Sequence, residues 1–229
     1  MNRLVLWDID HTLIETGGVG REVFADAFAQ VTGTPMKDMA EVSGRTELVI
    51  FADTLDLHEI PRSDEYFARF IDLQARRYEE RAHELRLRGR VLPGALNALQ
   101  ALERVPGMSQ SVLTGNTRAS AQAKLKAFGL DRYLDLEIGA YGEDDPVRAH
   151  LVAIARDRAY YKNRLTYTPA TTVVIGDTPQ DVIAGRDGGA HVIGIASGKS
   201  SATDLKAVGA DIVFPDLTDS AALIRAITA

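Results

Sequence analysis

Two aspartates one residue apart, Asp8 and Asp10, follow directly on the apolar run Leu4-Val5-Leu6-Trp7. The run does not alternate between apolar and polar residues, so it predicts a strand buried on both faces, the kind found in parallel sheets. In an extended stretch, residues two apart project to the same side, so both carboxylates face one point at the strand's carboxyl end. That end is where open α/β sheets take up ligands. Like charges about 4 Å apart repel by about 4 kcal/mol at an effective dielectric near 20, which calls for a cation, a proton or a cationic substrate.

Three further segments end in polar groups. Thr114-Gly115-Asn116 follows Ser111-Val112-Leu113, and Gly176-Asp177-Thr178-Pro179-Gln180-Asp181 follows Thr172-Val173-Val174-Ile175. The turn after Leu136-Glu137-Ile138 runs through Gly142 to Asp145-Pro146-Val147-Arg148, which puts an arginine in a first helical turn. Taken singly, each has a plainer use: Thr114 as a helix cap, Asn116 in a left-handed turn, Asp177 as an ordinary cap. Taken together, the strand ends line one edge of a sheet.

The elements that must position these groups can be read from the apolar pattern. Strands are predicted at residues 4–7, 111–113, 136–138, 172–175, 191–195 and 211–214. Helices are predicted at about 93–104, 117–128, 146–160, 179–187, 200–208 and 218–227. This alternation predicts an α/β fold built on a doubly wound parallel sheet. Residues 16–90 differ, with three helical patterns near 19–32, 46–56 and 63–86 and no convincing strand. In the last, Phe67, Ile71, Tyr78, Ala82 and Leu85 recur at helical spacing. Gly17, Gly18 and Gly20 open the segment, and Gly89 and Pro93-Gly94 close it. The expected organisation is a core of residues 1–15 and 91–229 with a helical cap at 16–90 hinged over the acid pair; a helical hairpin packed rigidly on the core fits the same pattern.

Composition narrows the partners. A net charge of −6 argues against nucleic acid and against an anionic membrane. No apolar run approaches the roughly 18 residues that cross a bilayer, and no signal-like segment precedes the first strand, so a cytoplasmic location is expected. With no cysteine, disulfides, thiol catalysis and thiolate metal sites are excluded. Gly194-Ile195-Ala196-Ser197-Gly198-Lys199-Ser200 imitates a P-loop, but it has three residues between its glycines where that motif needs four. The scattered histidines contain no H-E-x-x-H, which leaves no zinc-protease pattern.

Asp8-Ile9-Asp10-His11-Thr12-Leu13, Thr114-Gly115-Asn116 and Gly176-Asp177-Thr178-Pro179-Gln180-Asp181 resemble, in order and spacing, the motifs of the haloacid dehalogenase superfamily. The resemblance covers nearly the whole chain. It is nearest to the phosphoglycolate-phosphatase-like branch, with an α-helical cap on a Rossmann-like core. It implies a phosphatase acting on a small phosphorylated metabolite, with Asp8 as the nucleophile that becomes an aspartyl phosphate and Asp10 as general acid and base. It implies magnesium (Mg2+) held by Asp8, by the backbone carbonyl of Asp10 and by Asp177, with Asp181 as an outer partner or further ligand. Thr114 and the amides of Gly115 and Asn116 would hold phosphoryl oxygens.

The sequence departs from the family in two places. His11 stands where glycine is frequent and is read as a polar turn residue. The usual third-motif lysine is missing from 139–150, and Arg148 is expected to replace it. Lys124 is the other candidate, although its setting reads as helix surface. In the cap, Ser43-Gly44-Arg45-Thr46 resembles a specificity loop, which would let Arg45 reach the leaving group. A phosphomutase and a catalytically silent metal- or phosphate-binding module remain alternatives. Monomer and homodimer both stay open.

Overall fold

The computed structural model describes residues 2–229. In chain order the strands and helices are β1 (Arg3–Trp7), β2 (Ile14–Glu15), α1 (Val19–Thr32), α2 (Glu47–Leu57), α3 (Asp64–Glu80), α4 (Ala82–Arg88), β3 (Arg90–Val91), α5 (Ala95–Glu103) and β4 (Met108–Val112). They continue as α6 (Arg118–Ala127), α7 (His150–Asn163), β5 (Thr172–Gly176), α8 (Pro179–Asp187), β6 (His191–Ile195), α9 (Ala202–Ala207), β7 (Ile212–Phe214) and α10 (Ser220–Thr228). The main sheet has the order β4-β1-β5-β6-β7 and all its pairings are parallel.

The unbroken apolar run of β1 is explained by what covers it. Val5 and Trp7 enter a core with Ala95, Leu99, Ala121, Leu125, Leu223 and Ile227, while Leu4 and Leu6 enter a second core with Leu151, Val152 and Ala155 on the other face. Helices thus lie on both faces of the sheet, as a doubly wound arrangement requires.

Two strand expectations change. Leu136-Glu137-Ile138 is a turn, because the Asp135 carboxylate accepts from the Glu137 amide and its carbonyl accepts from the Ile138 amide. Only Ala140 bridges to Leu113. Ile138 is nonetheless fully buried, which is why the triplet looks like a strand in sequence. β4 begins earlier than its apolar residues suggest. Its polar side chains have internal partners: Gln110 accepts from the Trp7 indole at 3.2 Å and donates to the Leu99 carbonyl at 3.0 Å.

The helical insert matches expectation at α1 and α2, but the long third pattern divides into α3 and α4 at Arg81. Phe24, Phe28, Phe51 and Phe70 fill the insert's own core, with the Phe24 and Phe70 rings meeting edge-on at 4.7 Å. A two-stranded antiparallel ribbon, β2 with β3, closes the base of the insert. The pairing involves two residues on each side, too few for the period-two signal to register. Val19, Val23, Tyr78 and Leu85 then pack on Ala123 and Ala127, so the insert rests on α6.

Candidate active site

The strand register brings the site together. Trp7 pairs with Val112 on one side and with Ile175 on the other. The ladder runs one step further, with the Leu113 amide donating to the Trp7 carbonyl at 2.9 Å and the Asp8 amide to the Ile175 carbonyl at 2.8 Å. Asp8, Thr114 and Asp177 therefore emerge side by side at the carboxyl edge. Local chemistry frees their side chains. α8 is capped by Thr178 in a capping box with Asp181, and Pro179 sits at its start, so Asp177 is not the cap. α6 is capped by Thr117, so Thr114 is not the cap either. His11 has a φ of 64°, a left-handed turn conformation that favours glycine.

Asp8, Asp177 and Asp181 are buried and offer carboxylate oxygens within 4.8 Å of one another. Asp181 divides its oxygens: one accepts from the Thr178 amide and hydroxyl at 3.0 and 2.7 Å, and the other from the Arg148 guanidinium. Arg148 also donates to Asp8 at 2.9 Å. It lies in the turn ahead of α7 rather than in a first helical turn, since α7 starts at His150. Thr12 donates to Asp177 at 3.3 Å. Burial, then the charge of Asp181, pushes the Asp8 carboxyl well above the ordinary carboxylate value, against the opposing pull of Arg148. Burial and Asp181 likewise push Asp177 up to about 7.

Three buried carboxylates crowded together make a donor set suited to a hard divalent cation, which binds oxygen ligands and offsets their repulsion. The Arg148 Nε is buried and has no hydrogen-bond partner. A Cβ on Gly115 would come within 3.0 Å of Arg148 Nη1 and 2.1 Å of the Arg45 carbonyl, so the loop after β4 tolerates only glycine there. An anion lodged between this loop and Arg148 would find unsatisfied donors on the arginine.

Asp10 points elsewhere. Its carboxylate accepts from the Asn116 side-chain amide at 2.7 Å and from Lys124 Nζ at 2.8 and 3.1 Å. Its side chain is therefore not part of the acid cluster, which leaves only its backbone as a possible metal ligand. Lys124 corrects a sequence expectation: it is buried, not on the helix surface, because α6 packs against both the sheet and the insert and presents this residue to Asp10. Burial pushes the Asp10 carboxyl up, but the charge and hydrogen bond of Lys124, with the Asn116 amide, outweigh it and hold Asp10 below its ordinary value. Thr114 is buried, and its hydroxyl accepts from the Asn116 side-chain amide at 2.8 Å.

Above the edge, a cavity of about 780 Å³ is walled by both core and insert. The loop before α2 forms the roof. A Cβ on Gly44 would lie 2.3 Å from the Gln180 Cβ. The Glu47 amide donates to the Gly115 carbonyl at 2.7 Å, and its buried carboxylate accepts from the Thr117 amide at 2.9 Å and from Gln74. The Arg45 guanidinium is engaged by Asp53 and the Glu41 carbonyl; its main chain is what reaches Gly115. Lys124, Glu47 and Gln74 were not singled out for these contacts from sequence. Their signal is faint, a polar residue on a helix face where small residues such as Ser120 and Ala127 let a neighbour approach.

A parallel sheet with acids at the ends of adjacent strands, a glycine loop between them and a helical insert closing overhead together define a hydrolase architecture. The chain belongs to the haloacid dehalogenase-like hydrolases, whose family profile matches residues 5–186. It is 28% identical over 222 residues to a protein of Dickeya dadantii named "Probable phosphatase IndB", covering 96% of this chain and 92% of that one. It is 25% identical over 235 residues to a phosphoglycolate phosphatase of Nitrosospira multiformis, covering 97% and 96%. Among solved structures, a predicted phosphoglycolate phosphatase from Haemophilus somnus 129pt has the same fold, with a TM-score of 0.66 at 21% identity, covering 100% of this chain and 98% of that one. No helix among the described residues is long and apolar enough to cross a membrane.

Proposed function

We propose that this chain is a magnesium-dependent phosphatase that hydrolyses a small phosphorylated metabolite through an aspartyl phosphate on Asp8. The observation that carries the reading is Asp8 itself, a buried carboxylate at a strand end, held by Arg148 at 2.9 Å and faced by Asp177 and Asp181. The two phosphatase relatives, each matched over nearly its whole length, support the same reaction class.

In this reading Asp8, Asp177 and the backbone carbonyl of Asp10 hold the metal, with Asp181 beside them. The ion supplies charge neutralisation for the crowded acids and the incoming phosphate. Arg148 contributes a fixed positive charge next to the nucleophile, and its free nitrogen atoms, Thr114 and the amides of Gly115 and Asn116 take phosphoryl oxygens. Lys124 and Asn116 keep Asp10 a carboxylate in the free enzyme, so it takes up a proton on binding of the protonated phosphoester. An Asp8 oxygen attacks phosphorus and the leaving oxygen departs with that proton from Asp10. Asp10 then removes a proton from the water that cleaves the Asp8 acyl phosphate, which returns both groups to their starting states. The insert at 16–90 acts as a cap that excludes bulk water, and the Ser43-Gly44-Arg45-Thr46 loop shapes the space for the leaving group.

The test is hydrolysis of an aryl phosphate with and without Mg2+, by the wild type and by Asp8→Asn and Asp10→Asn. Loss of metal-dependent turnover in Asp8→Asn and a large but measurable reduction in Asp10→Asn are expected; turnover that survives Asp8→Asn rules out the covalent route. Release of inorganic phosphate from sugar phosphates, without isomeric sugar phosphate as product, separates this activity from a mutase.

A further inference from the structure

Lys124 takes no part in the bond-making and bond-breaking steps above, yet its environment is unusual for a lysine. Its side chain is 6% exposed, and Nζ donates to both oxygens of Asp10 and, at 2.6 Å, to the Asn116 carbonyl oxygen. Asn116 in turn donates to Asp10 through its amide nitrogen. The three side chains thus form a closed triangle in which Asp10 has no freedom that Lys124 and Asn116 do not share. On its other side the ammonium lies 5.1 Å from the centre of the Tyr78 ring, which belongs to α3 of the insert. A cation over an aromatic face is attracted by the ring's negative quadrupole. Lys124 is therefore gripped between a core carboxylate and an insert aromatic.

We propose that Lys124 is a positioning residue for Asp10, fixing the carboxylate where it meets the leaving oxygen and linking that placement to the seating of the insert through Tyr78. The inference rests on the acid–base role proposed for Asp10. Long, flexible side chains are rarely buried without a task, because ordering them and stripping their water are both unfavourable. Here the lysine adds no hydrophobic contact that a leucine would not supply. It does fix the torsions of Asp10, and a displacement of about 1 Å in a reacting group lowers rate by roughly 10²-fold.

The test compares Lys124→Met with the wild type for kcat/KM across aryl and alkyl phosphates of rising leaving-group basicity, together with a cycle combining it with Asp10→Asn. For an alkyl phosphate, whose departing oxygen needs a proton, Lys124→Met should lower kcat/KM by roughly 10²-fold, and by tenfold or less for a nitrophenyl phosphate. In the Asp10→Asn background the lysine substitution should change kcat/KM by no more than about threefold, since the group it positions is gone. Lys124→Arg, which keeps the charge and two donors, should recover part of the alkyl activity. Tyr78→Leu should lower alkyl turnover while leaving nitrophenyl phosphate nearly unaffected.

An equal loss on every substrate, or the same loss with and without Asp10, overturns the inference and leaves Lys124 a structural residue. If Asp10→Asn itself keeps full activity on alkyl phosphates, the acid–base reading fails instead. Should Lys124→Met not fold, Lys124→Gln supplies the same comparison with a neutral donor in place of the charge.

Discussion

Among the described residues Arg148 is the one cation bonded to the acid cluster, and removing it tests how that cluster is held. Its guanidinium bonds Asp8 and Asp181, and the side chains involved are only 10%, 10% and 1% exposed. Arg148→Met keeps the bulk of the side chain but strips two buried carboxylates of their counter-charge. Breaking a buried pair from one side typically costs about 3–5 kcal/mol. At about 2–4 °C per kcal/mol for a chain of this size, Tm should fall by roughly 6–20 °C.

The loss should depend on pH in a definite sense. Asp177 is raised to about 7, and Asp8 is also raised. A carboxyl that holds its proton more tightly when folded stabilises the fold fully below its unfolded value and loses that contribution as pH rises through the folded value. The ion-free wild type should therefore lose stability between about pH 4 and pH 8, by up to about 4 kcal/mol from Asp177. Without Arg148 the acids take up protons still more readily, so the variant's deficit should be small near pH 5 and large near pH 8. Thermal melts in EDTA at both pH values, repeated with Mg2+, measure this directly. Magnesium taken up at the proposed site, which exists only in the folded form, should raise Tm more at about pH 8 than at about pH 5. A deficit under about 2 °C at the higher pH, or one that does not change with pH, would refute the charge argument.

Two further predictions concern the roof of the site. Glu47→Ala leaves the Thr117 amide and the Gln74 side-chain nitrogen without their acceptor, at about 1–3 kcal/mol each; a calorimetric Tm lower by about 5 °C or more is expected, and an unchanged Tm would mean that water takes over both bonds. Gly44→Ala drives a methyl to 2.3 Å from Gln180 at a φ of +64°, which should lift the loop from the core and raise KM more than it lowers stability; unaltered steady-state kinetics would show that the loop's seating does not shape the pocket.

Much of the site can be read from sequence because it is built at strand ends. Apolar runs announce β1, β5 and the carboxyl end of β4, and the polar residue just beyond each is fixed in space by the sheet. Asp8, Thr114 and Asp177 could be placed together for that reason. Helix boundaries were legible where caps are strong: α1 is flanked by glycines, and α8 by Thr178 and Pro179. What was hidden depends on contacts between elements. Leu136-Glu137-Ile138 has strand composition, but Asp135 folds it into a turn. β2 and β3 are too short for any periodicity to register. Lys124 looks like an exposed helix residue because a pattern shows which face is apolar, not that a second layer covers the other face. Arg45 lies in the expected loop, yet Asp53, eight residues on, captures its guanidinium, which no local motif signals.

The central claim is that Asp8 carries the phosphoryl group during turnover. Acid quenching of the working enzyme, followed by mass mapping of its peptides, tests it most directly. The claim predicts one phosphoryl adduct, on the peptide containing Asp8, present with Mg2+ and absent from Asp8→Asn. Sustained phosphate release with no adduct under rapid quench, or an adduct on another residue, would contradict it.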